Sequence, residues 1–213
     1  RDRLSTEVLQ RLARSVLETL AYVHLRGVLH LDIKPANVLA RTEAADQDWA
    51  LLDFGLGVRT AGVVRGGTPF FVAPEVLWGL PADCRSDLFS LGAMLVVLCA
   101  EVPSVSIPSF VRRFPDVDFW TAAGIEAGAL PPPFDRLVPR LVARDANRRF
   151  ADAQEALEEL VGHTGRPSVH LLRPDPIAWF GEQLPAATEV GERDLVLRGG
   201  DDEDRRALAA LAA

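Results

Sequence analysis

The stretch HLDIKPANVL at residues 30–39 is followed by LLDFG at residues 51–55. Short apolar runs at Val38–Ala40 and Trp49–Leu52 frame a polar segment between them and predict a small β-hairpin. The side chains of these stretches that carry charge or a metal-binding amide are Asp32, Lys34, Asn37 and Asp53. Because all of them fall in loops or at strand ends, we expect these groups to converge on one site.

The chemistry of these groups suits phosphoryl transfer. A carboxylate and an amide oxygen are hard ligands for Mg²⁺, which keeps water molecules and takes further oxygens from phosphates. An ammonium group can neutralise charge on a transferred phosphoryl group, and a second carboxylate can orient an attacking hydroxyl and accept its proton. Lys34 is the single lysine among 23 basic residues, which indicates a position where the planar fork of arginine cannot replace a compact ammonium.

Outside the hairpin the sequence predicts mainly helix. Apolar residues recur at helical spacing over Thr6–Arg26, with Ser5 or the threonine itself as the N-cap. A second helix, capped by Ser86 or Asp87 and reaching about Cys99, is apolar almost all round, which indicates a central buried helix. The remaining predicted helices cover residues 116–123, 134–144 and 151–161.

Composition restricts the class of protein. The 213 residues carry 23 basic and 30 acidic side chains, and this acidic balance argues against nucleic acid as the main partner. The longest apolar run, at residues 91–100, is about half of the roughly 20 residues that a membrane span needs, so we expect no membrane segment in this chain. Two cysteines, Cys84 and Cys99, are too few for a disulfide framework and predict a cytoplasmic location.

The character of the sequence changes near residues 162–165. From there on, four prolines interrupt stretches whose secondary-structure patterns are weak. The acidic run Asp201–Asp204 opens a C-terminal segment rich in Ala, Leu and Arg. We expect residues 1–164 to form the main domain and residues 165–213 to be a linker or the start of another module. The chain opens at Arg1 with its only methionine at position 94, so we expect it to be a piece of a longer product.

The motifs and their order resemble those of the eukaryotic-type (Hanks-type) protein kinase family, and specifically of its C-terminal lobe. That family has a catalytic loop H-R-D-x-x-x-x-N, a metal-binding motif D-F-G and an activation segment that closes at A-P-E. The matching stretches, in chain order, are HLDIKPAN at 30–37, DFG at 53–55, GTP at 67–69, APE at 73–75, DLFSLG at 87–92 and DANRRF at 145–150. The resemblance implies a mainly α fold with a small β-hairpin, a kinase-like C-terminal lobe, followed by a partly irregular C-terminal extension.

The resemblance also implies a role for each matching residue. Asp32 would be the catalytic base toward the substrate hydroxyl, and Lys34 would steady the γ-phosphate of ATP. Asn37 and Asp53 would hold the magnesium ions, with manganese as the alternative metal. Leu39 would lie under the adenine.

The other matches lie in the activation segment and the scaffold. Thr68 would line the catalytic site. Glu75 and Arg149 would form a buried ion pair, and Asp87 would tie the central helix to the backbone of the catalytic loop. Lys34 within HLDIKPAN, followed by GTP, resembles the pattern of serine/threonine-specific members, so the implied partner is a protein substrate with serine or threonine.

Two departures from the family pattern bear on activity. Leu31 stands where many relatives have an arginine that grips a phosphate on the activation loop, so we expect a kinase that does not need that phosphorylation. The family's N-terminal lobe supplies a Gly-rich loop, a strand lysine and a helix glutamate. We expect none of these in the chain, because only a handful of residues precede the first predicted helix and the only lysine is already placed. We therefore expect the chain to be inactive without its N-lobe, and we expect that lobe and other domains of the parent chain to be its partners.

Three functions are compatible with parts of this pattern. The first is a serine/threonine protein kinase that transfers the ATP γ-phosphate to a protein hydroxyl. The second is a pseudokinase or docking module that keeps the fold to bind protein partners, which the retention of all four site residues disfavours, since a scaffold has no need for unpaired charge around an empty metal site. The third, a small-molecule phosphotransferase, is disfavoured by the activation segment that ends in APE.

Overall fold

Helices form most of the structure, and one short antiparallel hairpin accompanies them. The computed structural model describes residues 4–41, 48–54, 70–100, 119–126 and 129–162. The described helices are α1 Thr6–His24, α2 Pro74–Leu77, α3 Cys84–Ala100, α4 Phe119–Ala123, α5 Phe134–Leu141 and α6 Ala153–Val161, and the strands are β1 Val38–Arg41 and β2 Asp48–Leu51. The predicted class, mainly helical with a small hairpin, is confirmed. The predictions for residues 165–213 fall outside the described residues.

Helix α1 supplies one wall of the core. The Ser5 side chain caps it by accepting a hydrogen bond from the Val8 N–H over 3.3 Å, as its sequence predicts. The buried face consists of Leu9, Leu12, Ala13, Val16, Leu17, Leu20 and Val23. The helix ends at His24, two residues before the predicted end. The Arg26 N–H bonds the Val23 carbonyl in a tighter turn, and Gly27 then adopts a left-handed φ of 70°.

Helix α3 lies at the centre of the molecule. Every residue from Ser86 to Cys99 is buried, so the predicted central helix is confirmed. It contacts α1, α5 and α6. At Gly92 the helix lies close to the end of α5, because an added Cβ would lie 2.6 Å from Cβ of Leu141 and 2.7 Å from Cγ1 of Val142.

The predicted cap of α3 at Ser86 or Asp87 is wrong. The helix begins at Cys84, and Asp83 before it accepts a hydrogen bond from the Arg85 N–H over 2.8 Å. The Ser86 hydroxyl accepts from the Asp83 N–H over 3.3 Å, which satisfies a backbone donor at the start of the helix. The Asp87 carboxylate is bound elsewhere, as described below.

The ends of the last two helices also differ from the prediction. Helix α5 ends at Leu141 rather than residue 144, and the Ala143 N–H then bonds the Arg140 carbonyl over 3.4 Å in a tighter turn. The carbonyls of Ala143 and Arg144 accept hydrogen bonds from the Arg149 side chain over 2.8 and 3.3 Å. Helix α6 begins at Ala153 rather than residue 151, since Asp152 caps it. The part of the predicted helix 116–123 that is described is α4.

The hairpin packs on α1 and sets the geometry of its own ends. Strand β1 pairs with β2 in an antiparallel register that places Val38 opposite Leu51. Strand β2 contacts α1, so the hairpin is joined to the helical core. Short 3₁₀ turns occur at Pro35–Asn37 and Ala146–Arg148. Within the described residues, no helix combines the length and apolar character that crossing a membrane requires.

Candidate active site

A carboxylate from the central helix fixes the backbone at residues 30–31. Asp87 is 0% exposed and accepts hydrogen bonds from the N–H groups of His30 (2.8 Å) and Leu31 (2.7 Å). Nε2 of His24 lies 2.8 Å from the same carboxylate. Leu31 has a φ of 64°, which a leucine adopts only where its surroundings enforce it. The Asp87 carboxylate therefore holds this part of the loop in an unfavourable backbone conformation.

The His30 ring joins the loop to the end of the hairpin. Its Nε2 lies 2.8 Å from the Leu52 carbonyl oxygen, and its Nδ1 accepts a hydrogen bond from the Asp32 N–H over 3.2 Å. The ring also lies 4.6 Å from that of Phe54, centroid to centroid. Both ring nitrogens are thus engaged by the protein, which makes His30 a structural link between the segments around Asp32 and Asp53.

Asp32, Lys34 and Asn37 form one hydrogen-bonded cluster. Nζ of Lys34 donates to Oδ2 of Asp32 over 2.7 Å, and their side chains are 25% and 13% exposed. Nδ2 of Asn37 donates to the same oxygen over 3.1 Å and to the Asp32 carbonyl over 2.8 Å. Because two donors meet at Oδ2, the orientation of the carboxylate is defined.

Asp53 lies at the same end of the hairpin as Asn37. Asn37 precedes β1 and Leu52 follows β2, and the Leu52 N–H donates to the Asn37 carbonyl over 2.8 Å. Asp53 comes next, with an exposed side chain and a φ of 61°, a conformation that aspartate tolerates better than most residues. The antiparallel register therefore brings together two residues that are separated along the chain.

The donor set at this end of the hairpin fits a magnesium ion that takes most of its ligands from phosphate and water. The side-chain amide of Asn37 donates both of these hydrogen bonds through Nδ2. Its side-chain oxygen, Oδ1, therefore keeps its lone pairs for a cation. In the part of the chain that the structure describes, no group of three or more His, Cys, Asp or Glu could hold a metal ion. Such a cage is not what Mg²⁺ requires, since one or two carboxylates with phosphate oxygens suffice.

Two further predicted residues have different outcomes. Leu39 lies in β1 between Val38 and Ala40, which are 1% and 2% exposed. Because side chains alternate along a strand, Leu39 occupies the face opposite to the core and is partly exposed. Thr68 and the GTP stretch around it fall outside the described residues.

The ion pair of Glu75 with Arg149 that the resemblance implies is present and bidentate. Nη1 and Nη2 of Arg149 donate to Oε1 and Oε2 of Glu75 over 2.7 and 2.8 Å. The Ser86 hydroxyl donates to Oε1 over 2.7 Å. Burial alone raises the pKa of Glu75, but the hydrogen bonds and charge of Arg149 together with the Ser86 hydrogen bond outweigh it, and the pKa lies below its ordinary value.

Arg149 also binds three carbonyl oxygens. Besides those of Ala143 and Arg144, it donates to the Arg85 carbonyl through Nη1 over 2.9 Å. The guanidinium group therefore connects α2, the first turn of α3 and the segment after α5. Two side chains in these networks, His24 and Ser86, were not predicted to take part.

Leu31 is apolar and buried at the position where the resemblance leads us to expect arginine. Its side chain is 6% exposed and belongs to the hydrophobic core. This position therefore offers no cation to an activation-loop phosphate.

Comparison with known proteins gives the family context. The family model described as protein kinase domain matches residues 1–160. Serine/threonine-protein kinase PknL of Mycobacterium tuberculosis is 35% identical over 150 residues, which cover 66% of this chain and 36% of that protein. Serine/threonine-protein kinase pkn2 of Myxococcus xanthus is 35% identical over 175 residues, covering 70% of this chain and 20% of that protein.

A eukaryotic relative gives the same picture. Serine/threonine-protein kinase 17A of Oryctolagus cuniculus is 38% identical over 97 residues, which cover 44% of this chain and 24% of that protein. The chain thus spans about a third or less of the length of these three curated relatives.

Proposed function

This chain belongs to the protein kinase family, and on that basis we propose that its parent protein is a cytoplasmic serine/threonine protein kinase that transfers the γ-phosphate of ATP to a protein hydroxyl. The observation that carries the proposal is the cluster in which Lys34 and Asn37 meet at one carboxylate oxygen of Asp32. A docking module gains little from such a cluster, because partly buried charge pairs seldom add stability. The free thiols of Cys84 and Cys99 support the cytoplasmic location.

In this mechanism Asp32 acts as the base. Its carboxylate, oriented through Oδ2, receives the substrate hydroxyl and accepts the proton that leaves it. Lys34 lies beside that carboxylate and balances negative charge on the phosphoryl group. When bound, ATP would supply the transferable phosphoryl group, and its magnesium ion would neutralise negative charge during transfer.

The remaining site residues position the nucleotide and the loop. Asn37 and Asp53 would hold the metal, Leu39 would contact the adenine from the outer face of β1, and Thr68 would line the site next to Asp32. The remaining residues, Glu75, Asp87 and Arg149, do not contact the substrate in this proposal. They stabilise the backbone segments that carry the site residues.

We assign residues 1–164 to a kinase C-terminal lobe and residues 165–213 to a linker or further module. The family match to residues 1–160 supports the first boundary. The chain has no lysine besides Lys34, so it offers none for the α- and β-phosphates. The 213 residues alone should therefore bind ATP weakly and show no turnover, and an N-lobe would be needed to complete the site.

The test uses the full-length parent with its Asp32→Asn variant. Phosphate transfer from labelled ATP to serine- and threonine-containing peptides should fall by roughly 10²–10⁴-fold, the usual contribution of a general base, while nucleotide affinity stays nearly unchanged. Asp152→Asn is the matched control, since asparagine also caps a helix, and it should keep full activity.

Each outcome is informative about the proposal. Wild-type rates in the Asp32→Asn variant contradict the role of the base. Absence of transfer by the wild-type parent favours the docking alternative. Clear turnover by the 213-residue chain contradicts the need for a separate N-lobe.

A further inference from the structure

A groove of about 720 Å³ lies on the surface away from the hairpin. It runs between the end of α2, helix α4, the end of α5 and the segment that follows α5. Its apolar lining consists of Trp78, Phe119, Trp120, Pro139, Val142 and Ala143. We call it the α2–α5 groove. None of the described residues of the Asp32 loop or of strands β1 and β2 lines it, so it is separate from the candidate active site.

Among the described residues that line the α2–α5 groove, the charged ones are mostly basic. They are Arg140, Arg144 and Arg148, together with one acid, Asp145. Arg140 pairs with Glu155 over 2.7 Å, which offsets its charge. Within the described residues, Arg144 and Arg148 form no ion pair, and both are exposed. This local excess of positive charge contrasts with the chain's net charge of −7.

The Asp145 carboxylate offsets part of that charge. It also accepts a hydrogen bond from the Asn147 N–H over 2.9 Å and caps the turn Ala146–Arg148. With the Arg140–Glu155 pair neutral, Arg144 and Arg148 against Asp145 leave the described lining with an excess of one positive charge.

The wall of the groove is preformed. Arg149 binds the carbonyls of Ala143 and Arg144 from behind, and the guanidinium of Arg144 lies 5.1 Å from the centre of the Trp78 ring. A site that is ordered before binding loses less conformational entropy when it is occupied. Trp78 is 45% exposed, so a large apolar surface remains open to a ligand.

We propose that the α2–α5 groove binds an acidic peptide segment of a partner protein. The apolar floor with Trp78 and Trp120 would take a bulky apolar side chain of that segment. Arg144 and Arg148 would bind carboxylates on either side of it, since guanidinium groups pair with carboxylates in a bidentate manner. Tryptophan and arginine are also the residues most often found at binding hot spots. The proposal does not depend on phosphoryl transfer, because binding needs no nucleotide.

The test selects binding peptides without assuming their sequence. A display library of short random peptides is selected on the 213-residue chain, and the selected peptides are labelled with fluorescein and titrated by anisotropy. They should combine several Asp or Glu residues with a large apolar residue. The double variant Arg144→Glu/Arg148→Glu should bind them roughly tenfold or more weakly, and added salt should weaken binding to the wild type.

Two further variants separate specific binding from general effects of charge and folding. Arg136→Glu reverses an exposed arginine of α5 that does not line the groove, and it should bind the peptides like the wild type. Trp78→Ala should weaken binding while leaving its salt dependence unchanged. Circular dichroism and thermal melting of all variants verify that they are folded, as expected for exposed positions.

Three results would overturn the proposal. The selected peptides could be neutral or basic. They could bind the double variant as tightly as Arg136→Glu. Finally, the variant D201N/D202N/E203Q/D204N could bind them much more tightly than the wild type, which would show that the chain's own acidic run, Asp201–Asp204, competes for the groove.

Discussion

Replacing Glu75 with glutamine should destabilise the chain far more than the same replacement at Glu18. Both glutamates pair with an arginine, over 2.7 Å to Arg149 and 2.9 Å to Arg14. The side chains of the first pair are 15% and 0% exposed, whereas those of the second are 35% and 49% exposed. Breaking a buried pair leaves an uncompensated charge and costs about 3–5 kcal/mol, while an exposed pair on one helix contributes about 0.3–0.5 kcal/mol.

These values translate into melting temperatures that are easy to distinguish. For a chain of this size, 1 kcal/mol shifts Tm by about 2–4 °C, so Glu75→Gln should lower it by roughly 6–20 °C and Glu18→Gln by about 2 °C or less. Thermal and urea unfolding followed by circular dichroism measure both. The double variant Glu75→Gln/Arg149→Met should recover part of the loss, because it also removes the buried charge.

Equal effects of the two glutamine variants, within about 0.5 kcal/mol, would refute this reasoning. They would mean that the carbonyl oxygens around Arg149 already compensate its charge. A double variant as unstable as Glu75→Gln alone would point to lost packing as the main cause.

Gly92→Ala should reduce stability, because overpacking against Leu141 costs about 1–3 kcal/mol and outweighs a gain in helix propensity of at most ~1 kcal/mol; urea unfolding checks this. The lowered pKa of Glu75 means that the unfolded chain binds more protons in acid. Its stabilising contribution is therefore complete above the ordinary carboxyl pKa near 4.5 and is lost as the pH falls through the lower folded value, and Glu75→Gln should flatten this part of the stability profile. Because Leu31 offers no cation, phosphatase treatment of the active parent should leave its rate unchanged; stoichiometric phospho-Thr60 by mass spectrometry, with activity lost on removal, would contradict this.

Features that depend on neighbouring residues were predictable from sequence. The apolar spacing and serine cap of α1 follow from residues within a few positions of each other. The apolar character of α3 on all sides indicated its central position before any partner was known. The cluster at Asp32 was also accessible, because its members lie within five residues along the chain.

Features set by distant residues were not predictable from local patterns. Asp87 resembles a helix cap by its position, but its carboxylate is occupied by backbone groups more than fifty residues earlier. Likewise, the carbonyls that follow α5 are bound by the side chain of Arg149, which no local pattern around them indicates. The contact of His24 with Asp87 joins positions 63 residues apart, and no local pattern marks it. In contrast, Pro74 at the first position of α2 was a usable signal for that short helix.

The bond from the His30 N–H to Asp87 has a consequence for the order of folding. It joins residues that are 57 positions apart, so it cannot form until the intervening chain has been closed into a loop, with the associated loss of entropy. Until the central helix has docked, the Asp87 carboxylate cannot hold Leu31 in its left-handed conformation. A nascent chain that has not yet completed this helix would therefore carry every residue of the Asp32 loop and still lack its shape, so assembly of the reactive geometry coincides with tertiary folding.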